Sequence, residues 1–284
     1  MDYDRIRSWV LPEVIQSYDQ RDTILYALGV GYGYDPLDDR QLNYVYEDGL
    51  VAAPSMAAVL AYPGFWMKDP ATGIDWVKTV QAEQTLTLHA PLPIAAKVIG
   101  RTRVTAIVDK GPGKGALVYQ ERSIIDATSG KLLATVEPVN FCRGDGGLDH
   151  SDPVREPAPV SPNREPDEIC DLPTLPQAAL IYRLSGDDNP LHADPRVAAK
   201  AGFKQPILHG LCTFGIAGHA LLRTVADYDA TRLGKLSARF SAPVFPGETI
   251  RTEIWREQGV VFFRARLVER NVVVLSNGIA EMNI

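Results

Sequence analysis

Two stretches of this chain occur twice, in the same order, and that repetition limits the folds open to it more than any other feature. DTILYALGVGYGYDP from Asp22 is echoed by AALIYRLSGDDNPLH from Ala178, so that Tyr26 aligns with Tyr182, Leu25 with Ile181 and Leu28 with Leu184. LTLHAPLPIAAKVI from Leu86 is echoed by ARFSAPVFPGETI from Ala238; each has an Ala-Pro pair after an alternating run, with a further proline close behind. Between the echoes lies SDPVREPAPVSPNREPDEICDLPTLP, where 7 of 26 residues are proline. Proline lacks an amide hydrogen and fixes φ, so this segment is expected to be a stiff, extended linker, neither helix nor central strand. The 284 residues then divide into a first unit (1–150), a linker (151–176) and a second unit (177–284).

Each unit reads in the same coarse order. A short helix ends in a Gly-rich or Asp-rich loop. A longer apolar helix follows, PSMAAVLAYPGF in the first unit and HGLCTFGIAGHALLRTVA in the second. Four strands come next. EQTLTLHA, AKVIGRTRVTAIVDK, GALVYQERSIIDA and KLLATVEPVNF serve the first unit; LSARFSAPV, TIRTEIWRE, GVVFFRARLVER and NVVVLSNGIAEMNI serve the second. These runs alternate or are β-branched, and Pro-Gly, Gln-Gly and Asn turn signals separate them. One apolar helix followed by an antiparallel sheet is an α+β arrangement in which the sheet wraps the helix. The expected fold is therefore a double hot-dog.

Composition excludes several classes of function. Apolar residues make up 45% and charged residues 23%, as in a globular protein with ample core. No apolar run approaches the roughly 20 residues of a membrane helix. The early acids of MDYDRIRSWVLPEV do not read as a secretory leader and the final EMNI matches no organelle address, so a cytoplasmic protein is expected. A net charge of −6 leaves no nucleic-acid footprint. Cys142, Cys170 and Cys212 are too few and too scattered for a disulfide framework or a zinc site. They read as reduced thiols, and no metal is expected.

The stretch YRLSGDDNPLH, residues 182–192, carries more chemistry than a turn requires. Gly186 and Pro190 suffice to stop a helix and prevent its restart. Asp187 and His192, five apart on a proline-bent loop, can face one point in space, where one takes a proton from water while the other gives or steers one. Asn189 can hold that water or orient the carboxylate. Under the Tyr26/Tyr182 alignment, Gly31, Gly33 and Pro36 stand where Asp187, Asn189 and His192 stand. The duplicate keeps the scaffold without the ionisable groups, so one chemical centre per chain is expected, in the second unit. Further on, Gly210 falls in the first turn of the long helix, where unsatisfied amides and the dipole favour negative charge, and where glycine also permits close packing. His209 reads as a second base or, preferably, a satisfied structural residue; His219 reads as core or interface.

GDDNPLHADP followed by HGLCTFG resembles the (R)-specific 2-enoyl-CoA hydratases, hydratase 2, of the MaoC-like dehydratase group. RDTILYALGVG, EQTLTLHAPLP, VDKGPGKGA and ARFSAPVFPGET look like the same family's two-unit members, so the resemblance covers nearly the whole chain. It implies reversible hydration of a trans-2-enoyl-CoA to a (3R)-3-hydroxyacyl-CoA, with the coenzyme A thioester as substrate and no cofactor. It implies Asp187 and His192 as the catalytic pair, Asn189 as a positioner and the Gly210 amide as an oxyanion donor. Asp188, Pro190 and Leu191 complete the motif and are expected to border substrate, while Lys110 and Arg239 are expected to contact coenzyme A. The first unit is expected to shape the acyl-tail pocket through residues 52–66. Where family members often have His-Gly, this chain has Gln81-Ala82. An acyl-CoA thioesterase and a non-catalytic acyl-CoA-binding subunit are the competing readings. Two units in one chain already make a pseudo-dimer, and a homodimer of chains is compatible with this.

Overall fold

A computed structural model of the chain describes residues 1–156, 158–257 and 259–283. Its centre is one ten-stranded antiparallel sheet. The strands are β1 (Val14–Tyr18), β2 (Thr79–Leu88), β3 (Ala96–Asp109), β4 (Ala116–Asp126), β5 (Leu132–Cys142), β6 (Glu168–Pro173), β7 (Leu233–Phe240), β8 (Thr249–Glu257), β9 (Val260–Leu267) and β10 (Val273–Met282). All eight strands expected from alternating or β-branched runs are present. In β4 and β9 buried and less buried positions alternate along the strand, as a sheet with one covered face requires. Gln258, first residue of the Gln-Gly turn signal, lies outside the described residues.

The strand order is β1-β3-β4-β5-β2-β7-β10-β9-β8-β6. Read inward from either edge, the two halves give the same succession. They join where β2 pairs with β7, with Thr85 opposite Ser237 and Leu86 opposite Leu236. Thr85 and Ser237 each stand five residues before an Ala-Pro pair, so the sequence echo places equivalent residues face to face. Tyr26 and Tyr182, the anchors of the other echo, also meet, with ring centroids 5.9 Å apart. The chain is a double hot-dog with its approximate two-fold axis at the β2–β7 junction.

Two strands were not foreseen. β1 is one edge of the sheet and β6 the other. β6 lies inside the proline-rich segment expected to be linker throughout. Cys170 and Leu172 alternate inward there, and Pro173 is its last residue, so no interior ladder bond is lost. Proline keeps the segment out of the sheet's interior but not off its edge.

The α-helices are α1 (Tyr3–Arg7), α2 (Gln20–Gly29), α3 (Asp39–Val45), α4 (Ala178–Tyr182), α5 (Pro195–Lys200) and α6 (Gly210–Val225). α6 is the long apolar helix expected in the second unit; 12 of its 16 residues are buried, and it packs against β6, β7, β8 and β10. The matching helix expected in PSMAAVLAYPGF does not form. Only a 3₁₀ turn, Pro54–Ala58, is present, and Ala61 then takes φ 46°. Pro63 disfavours helical backbone at the residue before it, so the run between Pro54 and Pro63 is too short for a stable helix. The turn packs instead on α6, where Ser55 lies against Gly218. Arg122, buried on β4, holds the turn's end through an Nη2 donation of 2.6 Å to the Ala58 carbonyl.

One apolar cluster runs through both units, so the core is shared rather than divided at the repeat boundary. His219 is buried against it, stacked on Tyr32 at 3.8 Å, with Nδ1 on the Val30 carbonyl and Nε2 on the Tyr228 hydroxyl. The three cysteines are separate buried thiols. α2 meets α6 at Gly215, where an added Cβ would stand 2.6 Å from Val30 Cγ1 and 2.9 Å from the Tyr26 hydroxyl. Val30 is β-branched and buried, so it yields little. Gly215→Ala is expected to lower stability by about 1–3 kcal/mol. Equilibrium denaturant unfolding measures this, and an unchanged midpoint would show that the helices re-space freely.

Candidate functional site

The site begins where α4 runs into a 3₁₀ turn, Arg183–Ser185, that Gly186 ends with φ 115°. Most side chains resist that left-handed conformation; glycine does not. The Asp187 carboxylate accepts the Asn189 amide at 3.2 Å, and the Asn189 side-chain oxygen accepts the Leu191 amide at 3.1 Å. Pro190 then opens a second 3₁₀ turn, Pro190–His192. Asp, Asn and Pro thus write the turn that delivers His192 to a buried position at its end. The His192 Nδ1–H donates to the Ile207 carbonyl at 2.8 Å. A carbonyl only accepts, so the proton sits on Nδ1 and neutral His192 presents an unprotonated Nε2.

The approach to α6 closes the site from the other side. The Leu208 amide is tied to the Val244 carbonyl at 2.8 Å, and His209 follows, 1% exposed. Its ring stacks on His192 with centroids 3.8 Å apart and planes 28° from parallel, and its Nε2–H donates to the Asp187 backbone carbonyl at 3.3 Å. Asp187, His192 and His209 each offer a polar atom within 4.8 Å of the others. Two imidazoles and a carboxylate are groups a divalent ion accepts; each ring commits one nitrogen to a carbonyl and keeps the other. Burial pulls His192 below the ordinary imidazole range, opposed in part by the Ile207 carbonyl and by Asp187. Burial, then the neighbouring His192, pushes His209 down to about 4. Both rings are therefore neutral near pH 7.

Gly210 is the first residue of α6, and no side chain caps that helix. An added Cβ would stand 3.2 Å from the Phe240 ring, so glycine serves close packing here while the helix end stays open. Asn189 does not orient the Asp187 carboxylate with its side chain. That side chain caps the second 3₁₀ turn, and its backbone amide holds Asp187 instead. Asp188 and Pro190 are exposed and Leu191 half-buried. Lys110 is exposed at the turn after β3, its amide bonded to the Gly115 carbonyl. Arg239 lies on β7 opposite Glu83. Phe240, its neighbour, packs on Gly210, so strand alternation turns Arg239 to the far face of the sheet. Neither cation shares a hydrogen bond or ion pair with the Asp187–His192 group among the described residues. The sequence reading set His209 aside as structural; its place directly before Gly210 was the available signal.

A cavity of about 110 Å³ adjoins Gly186. Met56, Val59 and Leu60, from the stretch expected to set tail selectivity, line it with Leu25 and Leu184. A larger hollow of about 360 Å³, between Met1–Asp4 and Gly147–His150, holds none of these groups.

Residues 158–278 match the family described as MaoC like domain, and residues 16–144 match the family described as MFE-2 hydratase 2 N-terminal domain. The chain is 41% identical to 3-hydroxyacyl-thioester dehydratase Y of Mycobacterium tuberculosis, over 96% of this chain and 95% of that one. It is 36% identical to the peroxisomal enoyl-CoA hydratase 2 of Arabidopsis thaliana, over 96% and 93%. Among solved structures, a MaoC-like dehydratase from Phytophthora capsici superposes with a TM-score of 0.87 at 34% identity, over 99% of this chain and 98% of that one.

The buried histidines carry a consequence for acid stability. His192, His209 and His219 all lie below the ordinary imidazole range, His209 and His219 at about 4, with burial the largest cause in each. In the unfolded chain each returns to about 6.5, so that state binds protons the folded one refuses. Their contribution to stability is complete above about pH 6.5 and is lost as pH falls from there toward about 4. Urea unfolding between about pH 7.5 and about pH 5 should show a declining midpoint. A flat midpoint would mean that the rings titrate normally in the folded state.

Proposed function

Because the chain belongs to the MaoC-like dehydratase family, in the form that carries a hydratase 2 N-terminal domain, we propose that it adds water reversibly to a trans-2-enoyl-CoA, giving a (3R)-3-hydroxyacyl-CoA. The observation that supports this reading is an Asp187 carboxylate oxygen and a His192 ring nitrogen lying within 4.8 Å of each other, in a ring whose Nδ1 is committed to the Ile207 carbonyl, beside the uncapped start of α6. The enoyl double bond is conjugated with the thioester carbonyl. In the proposed reaction that oxygen accepts the Gly210 amide, C3 becomes electrophilic, and negative charge gathers on the oxygen as an enolate. Asp187 and His192 share one water. Its oxygen adds to C3, the pair takes up its proton, and C2 receives one in turn. The overall addition moves no electrons to or from a partner, so the proposal calls on no redox cofactor.

The acyl chain beyond C3 is proposed to enter the cavity beside Gly186, along the side lined by Leu25, Met56, Val59, Leu60 and Leu184; Gln16, Asp22 and Ser185 border the rest. Lys110 and Arg239 as coenzyme A contacts rest on the resemblance alone. The cytoplasmic location and a homodimer of chains belong to the proposal as well, though one relative above is peroxisomal; fractionation and gel filtration test them.

The decisive assay follows loss of the conjugated enoyl absorbance across enoyl-CoAs of graded size, with chiral analysis of the product and a parallel measure of free thiol. Hydration is expected, with an (R)-hydroxyl and no thiol. Thiol release without hydration would establish a thioesterase, and neither signal would leave a binding subunit. Asp187→Asn and His192→Gln should each lower kcat by at least about 100-fold with the fold retained. Full turnover in both would remove these residues from the reaction.

A further inference from the structure

His209 is the N-cap residue of a 16-residue helix, yet makes no side-chain cap. Serine, threonine, aspartate and asparagine at that position ordinarily turn back to the helix's free amides. Here the chain has Leu-His-Gly, and the side chain reaches away from its own helix to the turn that carries Asp187. Its donation to the Asp187 carbonyl fixes a peptide plane next to Gly186, which is exposed and has only its glycine backbone to hold it. The ring contacts two others, stacked on His192 at 3.8 Å and tilted against Tyr182 at 5.0 Å. His192 is therefore held twice, by the Ile207 carbonyl at its edge and by His209 on its face. The remaining His209 nitrogen, Nδ1, is buried and has no partner among the described residues. A fully satisfied packing histidine would not carry that penalty.

We propose that His209 is a positioning residue for the hydration: by bonding the Asp187 carbonyl and stacking on His192, it sets the acid–base pair against the start of α6 while leaving that helix end free for the thioester oxygen. This rests on the hydratase reading above. One side chain then serves three parts of the site. It ties the aspartate turn, the histidine plane and the oxyanion donor to one ring. A serine, threonine or aspartate at 209 would cap α6 and compete with substrate for the open amides. Its neutrality near pH 7 means that it adds no second cation beside His192 when that ring takes up a proton.

The test compares three variants with the intact chain by steady-state kinetics on an enoyl-CoA that the intact chain hydrates. His209→Leu removes the donor and the flat face. His209→Gln keeps an N–H at similar reach. His209→Ser supplies a cap. His209→Leu and His209→Ser should each lose on the order of 100-fold in kcat with KM changed less than about threefold, and His209→Gln should stay within about tenfold of the intact chain. A leucine variant with unchanged kcat overturns the proposal, as does a glutamine variant no better than leucine. If His209→Leu does not fold, serine against glutamine decides: glutamine faster by about tenfold or more supports the positioning role, and a smaller difference overturns it. An intact chain that hydrates no enoyl-CoA overturns the hydratase reading and this proposal with it, whereas normal turnover with indifferent variants removes the positioning role alone.

Discussion

The pairing of β2 with β7 is the constraint on which the rest of the molecule depends. Five consecutive residue pairs, from Glu83 opposite Arg239 to Thr87 opposite Lys235, make two half-sheets into one. Leu86 and Leu236 face each other next to the middle pair of this ladder, and both are fully buried. Without the junction each half would expose a long interior strand as an edge, ready to pair with another chain. The first half would also lack a long helix to cover its face, since among the described residues only the second half contributes one of that length. The joined sheet lets one helix and one apolar cluster serve both repeats.

Sharing a core frees the halves to differ. The first repeat has glycines and a proline where the second has Asp187, Asn189 and His192, and a short 3₁₀ turn where the second has α6. The turn occupies less space than a helix would. Met56, Val59 and Leu60, at and just after it, border a cavity that reaches the aspartate turn of the other repeat. One unit thus presents ionisable groups and the other most of the cavity's lining. Neither arrangement is complete alone, because Tyr26, Val30 and Ser55 of the first unit pack directly on the helix of the second.

The strands were legible because a sheet covered on one face imposes a period of two on its residues, and eight runs showed it. β1 and β6 were not, since a short edge strand buries few residues and tolerates the proline that elsewhere argues against a strand. The false helix at Pro54 came from reading apolar content without weighing the proline nine residues on. At the site, the spacing of Asp187 and His192 could be read directly, because one turn of fixed chemistry separates them. The roles of Asn189 and His209 could not. Whether an amide side chain holds a carboxylate or caps its own turn, and whether a ring stacks or merely fills space, is decided by directions that spacing does not encode. The same limit applies to Arg239, whose strand position was clear but whose face depended on which neighbour met α6.

The sheet ends on both sides in a short strand beside proline: β1 has 5 residues and follows Pro12, and β6 has 6 and stops at Pro173 with Pro176 just beyond. A further strand laid alongside would find few amides in line and its path bent away at the margin. Growth of the sheet by lateral addition is therefore disfavoured at both borders, where a long flat edge would invite it.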